Sequence, residues 1–260
     1  MRVVACLPLL LLLACAAPTR AGTAAPASQA AAPGETAAAT GEVPEVSVKP
    51  GINDSWRGRD TKRLVRRLQS ESREIWVQRA RVVEAVAARP GMVVADIGAG
   101  SGFLTLMLAK AVGESGKVYA LDINRGLLDN IAAEARENGL GNVETMPTAE
   151  DRTPLAPDSV DLVFMCDAYH HFEYPRSTMR SIRAALRPGG ELVLVELERI
   201  PGKTSQAMLD HVRADKQVFL AELLADGFEL VREEEVPELE ENYVLRLRKR
   251  ADPGAEAAGR

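Results

Sequence analysis

The stretch that most constrains this 260-residue chain is Asp96-Ile97-Gly98-Ala99-Gly100-Ser101-Gly102, alternate glycines set between two apolar segments. Residues 92–97 form a nearly unbroken apolar run, as expected of a strand buried on both faces. Residues 103–112 carry apolar side chains at helical spacing. A strand that turns into a helix this abruptly needs glycine, whose backbone bends sharply and lets a ligand approach closely. The helix then presents free N–H groups at the strand's C-terminal edge, where ligands bind in open α/β sheets. A glycine turn alone is equally a tight connection. Asp122 sharpens it by ending the next apolar run about 20 residues on, where a carboxylate accepts hydrogen bonds from ribose hydroxyls. Strand, glycine turn, helix, strand and acid together predict a nucleoside site.

The alternation continues. Residues 125–138 read as a helix, 142–146 and 160–166 as strands, 176–186 as a helix and 191–196 as a fifth strand. A helical region over 205–225 precedes two runs, 229–236 and 242–248, that suit an antiparallel hairpin. The pattern predicts an α/β fold over residues 90–250: a Rossmann-like, doubly wound, mostly parallel sheet with a terminal antiparallel strand and helices on both faces. Residues 51–89 form a basic helical segment, with Leu64, Leu68, Val82, Val83 and Val86 at helix-face spacings among Arg59, Lys62, Arg63, Arg66 and Arg67. Interspersed Glu71, Glu74 and Glu84 favour a solvated face laced with ion pairs over a basic lid for an anionic substrate.

The N-terminus has its own logic. Behind Met1 and Arg2, the apolar run over residues 3–13 is shorter than the roughly 20 residues a bilayer requires and reads as a signal-peptide core. Leu12-Leu13-Ala14-Cys15 resembles the bacterial lipobox. Residues 1–15 are therefore expected to be a lipoprotein-type signal peptide, with the protein exported and attached to a membrane through lipidated Cys15, facing the periplasm or the cell exterior. Residues 16–50, rich in Ala and Pro, read as a flexible linker, and 251–260 as a disordered tail. A net charge of −5 gives no reason to expect nucleic acid as partner. Beyond the signal, Cys166 is the one cysteine. One cysteine and three scattered histidines make no zinc spacing, so no metal is expected. His211, beside Arg213 and Lys216, reads as surface. Glu196 and Glu198 either line a pocket or face solvent.

A dinucleotide fingerprint needs a third glycine where Phe103 stands. The run Val94-Ala95-Asp96-Ile97-Gly98-Ala99-Gly100-Ser101-Gly102 instead resembles motif I of the class I S-adenosylmethionine-dependent methyltransferases, and Asp122 is similar to their ribose-binding acid. Thr148-Ala149-Glu150-Asp151, Asp158-Ser159-Val160-Asp161-Leu162-Val163 and Leu186-Arg187-Pro188-Gly189-Gly190 resemble that family's later motifs, in order, so the likeness runs over most of residues 73–250. It implies S-adenosylmethionine as cofactor. Asp96, Gly98, Ala99, Gly100 and Gly102 would flank its methionine part, Asp122 and Ile123 its ribose, and Thr148, Ala149 and Glu150 its adenine, with Cys166 nearby. Thr148 replaces the family's usual acid, and a neutral hydroxyl accepts a hydrogen bond more weakly.

In the same family the segment after the fourth strand, here Cys166-Asp167-Ala168-Tyr169-His170-His171-Phe172, faces the reactive methyl and the substrate. Asp167, His170 and His171 are the candidates for a general base. The other reading is that these side chains only pack, since methyl transfer runs on alignment alone. Tyr169-His170-His171-Phe172, Trp76 and the arginine-rich stretch resemble an exported bacterial group within the family. The resemblance implies a methyltransferase acting on a small-molecule substrate. The alternatives are a non-catalytic cofactor-binding lipoprotein and a nicotinamide-dependent oxidoreductase.

Overall fold

Five apolar runs become the parallel heart of a seven-stranded sheet in the computed structural model, which describes residues 44–58 and 60–251. The expected signal peptide with Cys15, residues 16–43 of the expected linker and residues 252–260 lie outside the described residues. In chain order the elements are α1 (Thr61–Leu68), α2 (Glu74–Val77), α3 (Arg79–Val86), β1 (Val93–Ile97), α4 (Phe103–Val112), β2 (Lys117–Asp122), α5 (Arg125–Glu137) and β3 (Val143–Pro147). Then come β4 (Val160–Cys166), α6 (Pro175–Ala185), β5 (Leu186–Leu197), α7 (Gln206–His211), α8 (Lys216–Ala225), β6 (Phe228–Glu234) and β7 (Asn242–Lys249).

The strand order is β3-β2-β1-β4-β5-β7-β6. β1 through β5 pair in parallel, while β7 runs antiparallel between β5 and β6. The expected fold class therefore holds. β1 lies in the middle because Val94, Ala95 and Ile97 are buried on both faces, which leaves it no edge to expose. One apolar layer joins the sheet to α6 and α8 through Met179, Ile182, Phe219 and Leu223. The other joins it to α3 and α4 through Val82, Val86, Leu104 and Leu108. Helices thus cover both faces.

Two boundaries differ from the sequence reading. β5 begins at Leu186 rather than 191, because the Pro188-Gly189-Gly190 turn is absorbed as a register shift against β4. Residues 44–50, expected in the linker, are tied to the domain. Glu45 accepts the N–H groups of Arg176 and Ser177 at 3.0 and 2.7 Å, capping α6, which has no side-chain cap of its own. Val48 N–H donates to the Glu173 carbonyl at 2.9 Å. Composition signals a linker but cannot show which of its residues find partners.

Arg246 of β7 locks the far end of the sheet. It is 4% exposed and donates to Glu234 and Glu191 at 2.7 and 2.8 Å and to the Ala85 and Val86 carbonyls at 2.7 and 3.1 Å. Those carbonyls belong to the end of α3, so one guanidinium joins helix and sheet. Replacing it leaves four acceptors short of a donor. Arg246→Ala is expected to lower unfolding stability by on the order of 3 kcal/mol, measured as the urea midpoint at constant slope.

Candidate functional site

The sheet's winding reverses between β1 and β4, and the strand ends there leave a crevice. Gly98 leaves β1 at φ 75°, and its N–H and that of Ala99 both donate to the Leu121 carbonyl, at 2.8 and 3.0 Å. A Cβ on Gly98 would stand 2.6 Å from the Ala168 methyl. The glycine bend and the loop after β4 close on each other because that carbon is missing. Gly102 does something else. It caps α4 at φ 82°, and a Cβ there would meet Ile131 of α5 at 2.4 Å. Gly102 is thus required for seating α4 against α5, directly beside the cleft-lining Ser101 and Phe103.

The other expected cofactor residues come together. Asp96, Gly98, Ala99, Gly100, Asp122, Ile123, Thr148, Ala149, Glu150 and Cys166 line one cleft of about 1020 Å³, its open mouth included. Asp122 accepts the Gly100 N–H on Oδ2 at 2.9 Å and the Asn124 N–H on Oδ1 at 2.8 Å, and each oxygen keeps capacity for a further donor. Burial raises the Asp122 pKa, with the N–H bonds from Asn124, Gly100 and Ile123 pulling the other way. Asp96 accepts the Thr105 hydroxyl at 2.6 Å. Burial pushes its carboxyl up to about 7, against the Thr105 bond and with help from the Asp122 charge. Thr148 donates its hydroxyl to the Arg152 carbonyl at 2.8 Å, which leaves the oxygen free to accept.

Sequence reasoning missed the cover. Asn53, Trp56, Leu68, Arg73 and Ile75 from the N-terminal segment also line the cleft. Asn124 Nδ2 donates to the Trp56 carbonyl at 2.6 Å, Arg57 pairs with Glu150, and a Cβ on Gly100 would sit 3.1 Å from Leu68 Cδ1. The segment is therefore part of the site as well as a charged face. The available signal was Trp56, a large aromatic in an arginine-rich stretch. The indole N–H of Trp56 and the hydroxyl of Ser101, both on the cleft wall, are buried without a partner, so two polar groups there await a ligand.

After β4 the chain passes through Asp167 at φ 49° into a 3-10 turn, Tyr169–His171. The three catalytic candidates part company here. The Asp167 carboxylate is occupied by Arg73 Nη2 at 2.6 Å and Asn242 Nδ2 at 2.7 Å. Burial raises its pKa and the Arg73 charge opposes the rise. With both oxygens engaged, it fixes Arg73 on the cleft wall and is not a free base.

His170 lies outside the cofactor cleft. Its Nδ1 stands 2.7 Å from Glu196 Oε1, and because a carboxylate only accepts, that nitrogen carries the proton. Glu196 is fully buried and also accepts the N–H groups of His170 and Leu197 at 3.2 and 2.8 Å. Burial pulls the His170 pKa down, but the Glu196 charge and hydrogen bond outweigh it and the net shift is upward. His171 does line the cleft, with Nδ1 buried and unpartnered. Burial first, then the His170 charge, hold its pKa far below the usual value. A neutral ring of such low basicity is a poor proton acceptor.

His211 is half-buried rather than fully exposed. Its ring centroid lies 5.0 Å from those of both His170 and His171, which are 4.3 Å apart. Burial, then the His170 charge, lower its pKa to about 4. The reading of three scattered histidines is corrected, since the fold gathers all three.

With this geometry in hand, the likeness to known proteins is specific. Residues 94–190 match the family described as a methyltransferase domain. The ubiquinone/menaquinone biosynthesis C-methyltransferase of Vibrio campbellii is 30% identical over 118 residues, 45% of this chain and 46% of that protein. The chain thus spans about half the length of the curated relatives it matches. Among solved structures, a SAM dependent methyltransferase from Aquifex aeolicus superposes with a TM-score of 0.64 at 24% identity, covering 74% of this chain and 99% of that one. An S-adenosylmethionine dependent methyltransferase from Mesorhizobium loti gives 0.54 at 17% identity, over 68% and 99%. The solved structures speak for the fold. None of these matches supports the nicotinamide-dependent or non-catalytic alternatives.

Asp96 makes stability depend on pH. Its folded pKa of about 7 lies above the ordinary carboxyl value of 3.8, so the folded state holds the proton more tightly. That contribution is fully present below about pH 4 and is lost as pH rises to about 7. Asp96→Asn keeps the acceptor for Thr105 without the charge. Relative to the parent, it should gain on the order of 1–3 kcal/mol between pH 5 and pH 8, read from urea unfolding at both values. An equal offset at the two pH values would contradict the assignment.

Proposed function

We propose that residues 94–190, which match a methyltransferase domain, belong to the class I S-adenosylmethionine-dependent methyltransferases and that the chain methylates a small-molecule acceptor. The observation that carries this reading is the Asp122 carboxylate, held by the Gly100 N–H at 2.9 Å inside a cleft that gathers nearly every cofactor position expected from the sequence. The residues present fit the cofactor. Asp122 would accept from the ribose hydroxyls, and Thr148 from the adenine amino group. The Trp56 N–H and Ser101 hydroxyl, buried and unpartnered, offer donors to a carboxylate. S-adenosylmethionine supplies a methyl group activated by a positively charged sulfonium.

The chain supplies alignment and dryness. Trp56 and Leu68 cover the bend, and Ala168 closes it from the other side, so an acceptor meets the cofactor in a space from which water is displaced. Asp167 acts here as a positioning residue for Arg73, whose guanidinium reaches the cleft wall at the boundary with a second cavity. That cavity is lined by His170, His171, Met208 and His211 among others, and it is the natural acceptor side. The family match ends at residue 190. The parts facing the acceptor, residues 44–78 and the region after β5, fall outside it, so the relatives' carbon acceptor does not transfer to this chain.

The supporting experiment supplies labelled methyl donor to a metabolite extract with the full chain, using Asp122→Ala as the blank. The parent is expected to label a small molecule. Asp122→Ala should bind S-adenosylhomocysteine about 5- to 150-fold more weakly, equivalent to losing roughly 1–3 kcal/mol. Unchanged binding would refute the ribose role. We also infer export and membrane attachment, on the strength of Leu12-Leu13-Ala14-Cys15 behind a short apolar run. Metabolic labelling with a radioactive fatty acid should mark the parent and leave Cys15→Ser unmarked.

A further inference from the structure

All three histidines of the chain meet at one point, although two follow β4 and the third ends α7. One ring nitrogen from each lies within 4.8 Å of the others. Around a tetrahedral zinc ion, with Zn–N bonds of about 2.0–2.1 Å, ligand nitrogens stand roughly 3.3–3.4 Å apart. A small inward rotation of the rings closes the gap. His170 Nδ1 is taken by Glu196, whereas His171 Nδ1 is buried with no partner and, among the described residues, the His211 ring makes no hydrogen bond. Three imidazoles gathered this closely, with lone pairs unmet, are costly unless something binds them.

His170 is held as a metal-ligating histidine is usually held. Its Nδ1–H donates to the buried Glu196 at 2.7 Å, which orients the ring and leaves Nε2 as its ligating atom. Glu196 in turn is fixed by two backbone N–H groups, so this carboxylate–histidine unit is rigid. Two cations lie near enough for their charge to be felt by the cluster, and each has a partner of its own. Lys49 Nζ donates to the His211 carbonyl at 2.7 Å, and the Arg67 guanidinium lies over the Trp56 ring, 5.4 Å from its centroid.

We propose that His170, His171 and His211 form a binding site for one divalent transition-metal ion of the zinc class, with Glu196 as the carboxylate that positions His170. An all-imidazole donor set suits such ions rather than calcium or magnesium. Three protein ligands leave a fourth position open, as in catalytic rather than structural zinc sites. His171 lines both the cofactor cleft and the second cavity, so the site lies where the two cavities meet. An acceptor with a hydroxyl, carboxylate or thiol would take the open position, and a bound O–H or S–H would be acidified by the ion. The metal site stands on its own geometry. Only its role in holding the acceptor rests on the methyltransferase reading.

The test uses the full chain without a histidine tag, stripped with chelator and titrated with Co(II) as a spectroscopic stand-in, then with Zn(II) in competition. The parent should take up one equivalent and show the intense visible absorption of tetrahedral Co(II), lost on adding zinc. His171→Ala and His211→Ala should each weaken uptake at least tenfold, and Glu196→Gln by about 10- to 100-fold, with circular dichroism reporting that each variant is folded. A parent that takes up no metal, or folded His211→Ala that binds as the parent does, would overturn the site. S-adenosylhomocysteine titrated into the stripped parent reads the cofactor cleft separately. Binding there without metal uptake rejects the metal site alone, and metal uptake without cofactor binding rejects the methyltransferase reading alone.

Discussion

The contact between the Asp122 carboxylate and the Gly100 N–H, 2.9 Å long, ties the end of β2 to the bend that leaves β1. Two neighbouring strands thereby agree on where the crevice lies. The bond requires the loop to pass close to the strand end, and the loop does so because Gly98 and Gly102 leave room for Ala168 and Ile131. A larger residue at either position displaces the loop after β4 or the seat of α5. The acid reaches the Gly100 N–H because that position of the turn carries no side chain.

From that floor the site is assembled by parts of the chain that are remote in sequence. The N-terminal segment supplies Trp56, Leu68 and Arg73, and Arg73 is held by Asp167 at 2.6 Å. The turn after β4 supplies His170 and His171, and the buried end of β5 supplies Glu196 beneath them. α7 brings His211 across the second cavity. Each buried charge here has a named partner, which is the condition for placing Glu196 and Asp167 where water does not reach. The two cavities share Trp56, Arg73 and His171 as wall residues, so they adjoin.

The framework was legible because it is written in local pattern. Alternate glycines after an apolar run, an acid ending the next strand and Pro188-Gly189-Gly190 before β5 each follow from a short-range rule, and the sheet order follows from how such units wind. What was not legible depends on distance. His211 reads as surface from its charged neighbours, yet it packs against residues some forty positions away in the chain. Asp167 looks like a base until Arg73 and Asn242 reach it. The cover formed by residues 51–78 shows the same limit, because its arginines satisfy the pattern of a solvated face whether or not Trp56 turns inward.

The most direct test of the whole account is a crystal structure of the full chain with S-adenosylhomocysteine. The account predicts the ribose hydroxyls on Asp122, the adenine beside Thr148 and Ala149, and the amino-acid end near Ser101 and the glycine bend. A ligand bound away from Asp122, or a crevice left empty at saturating ligand, would contradict it.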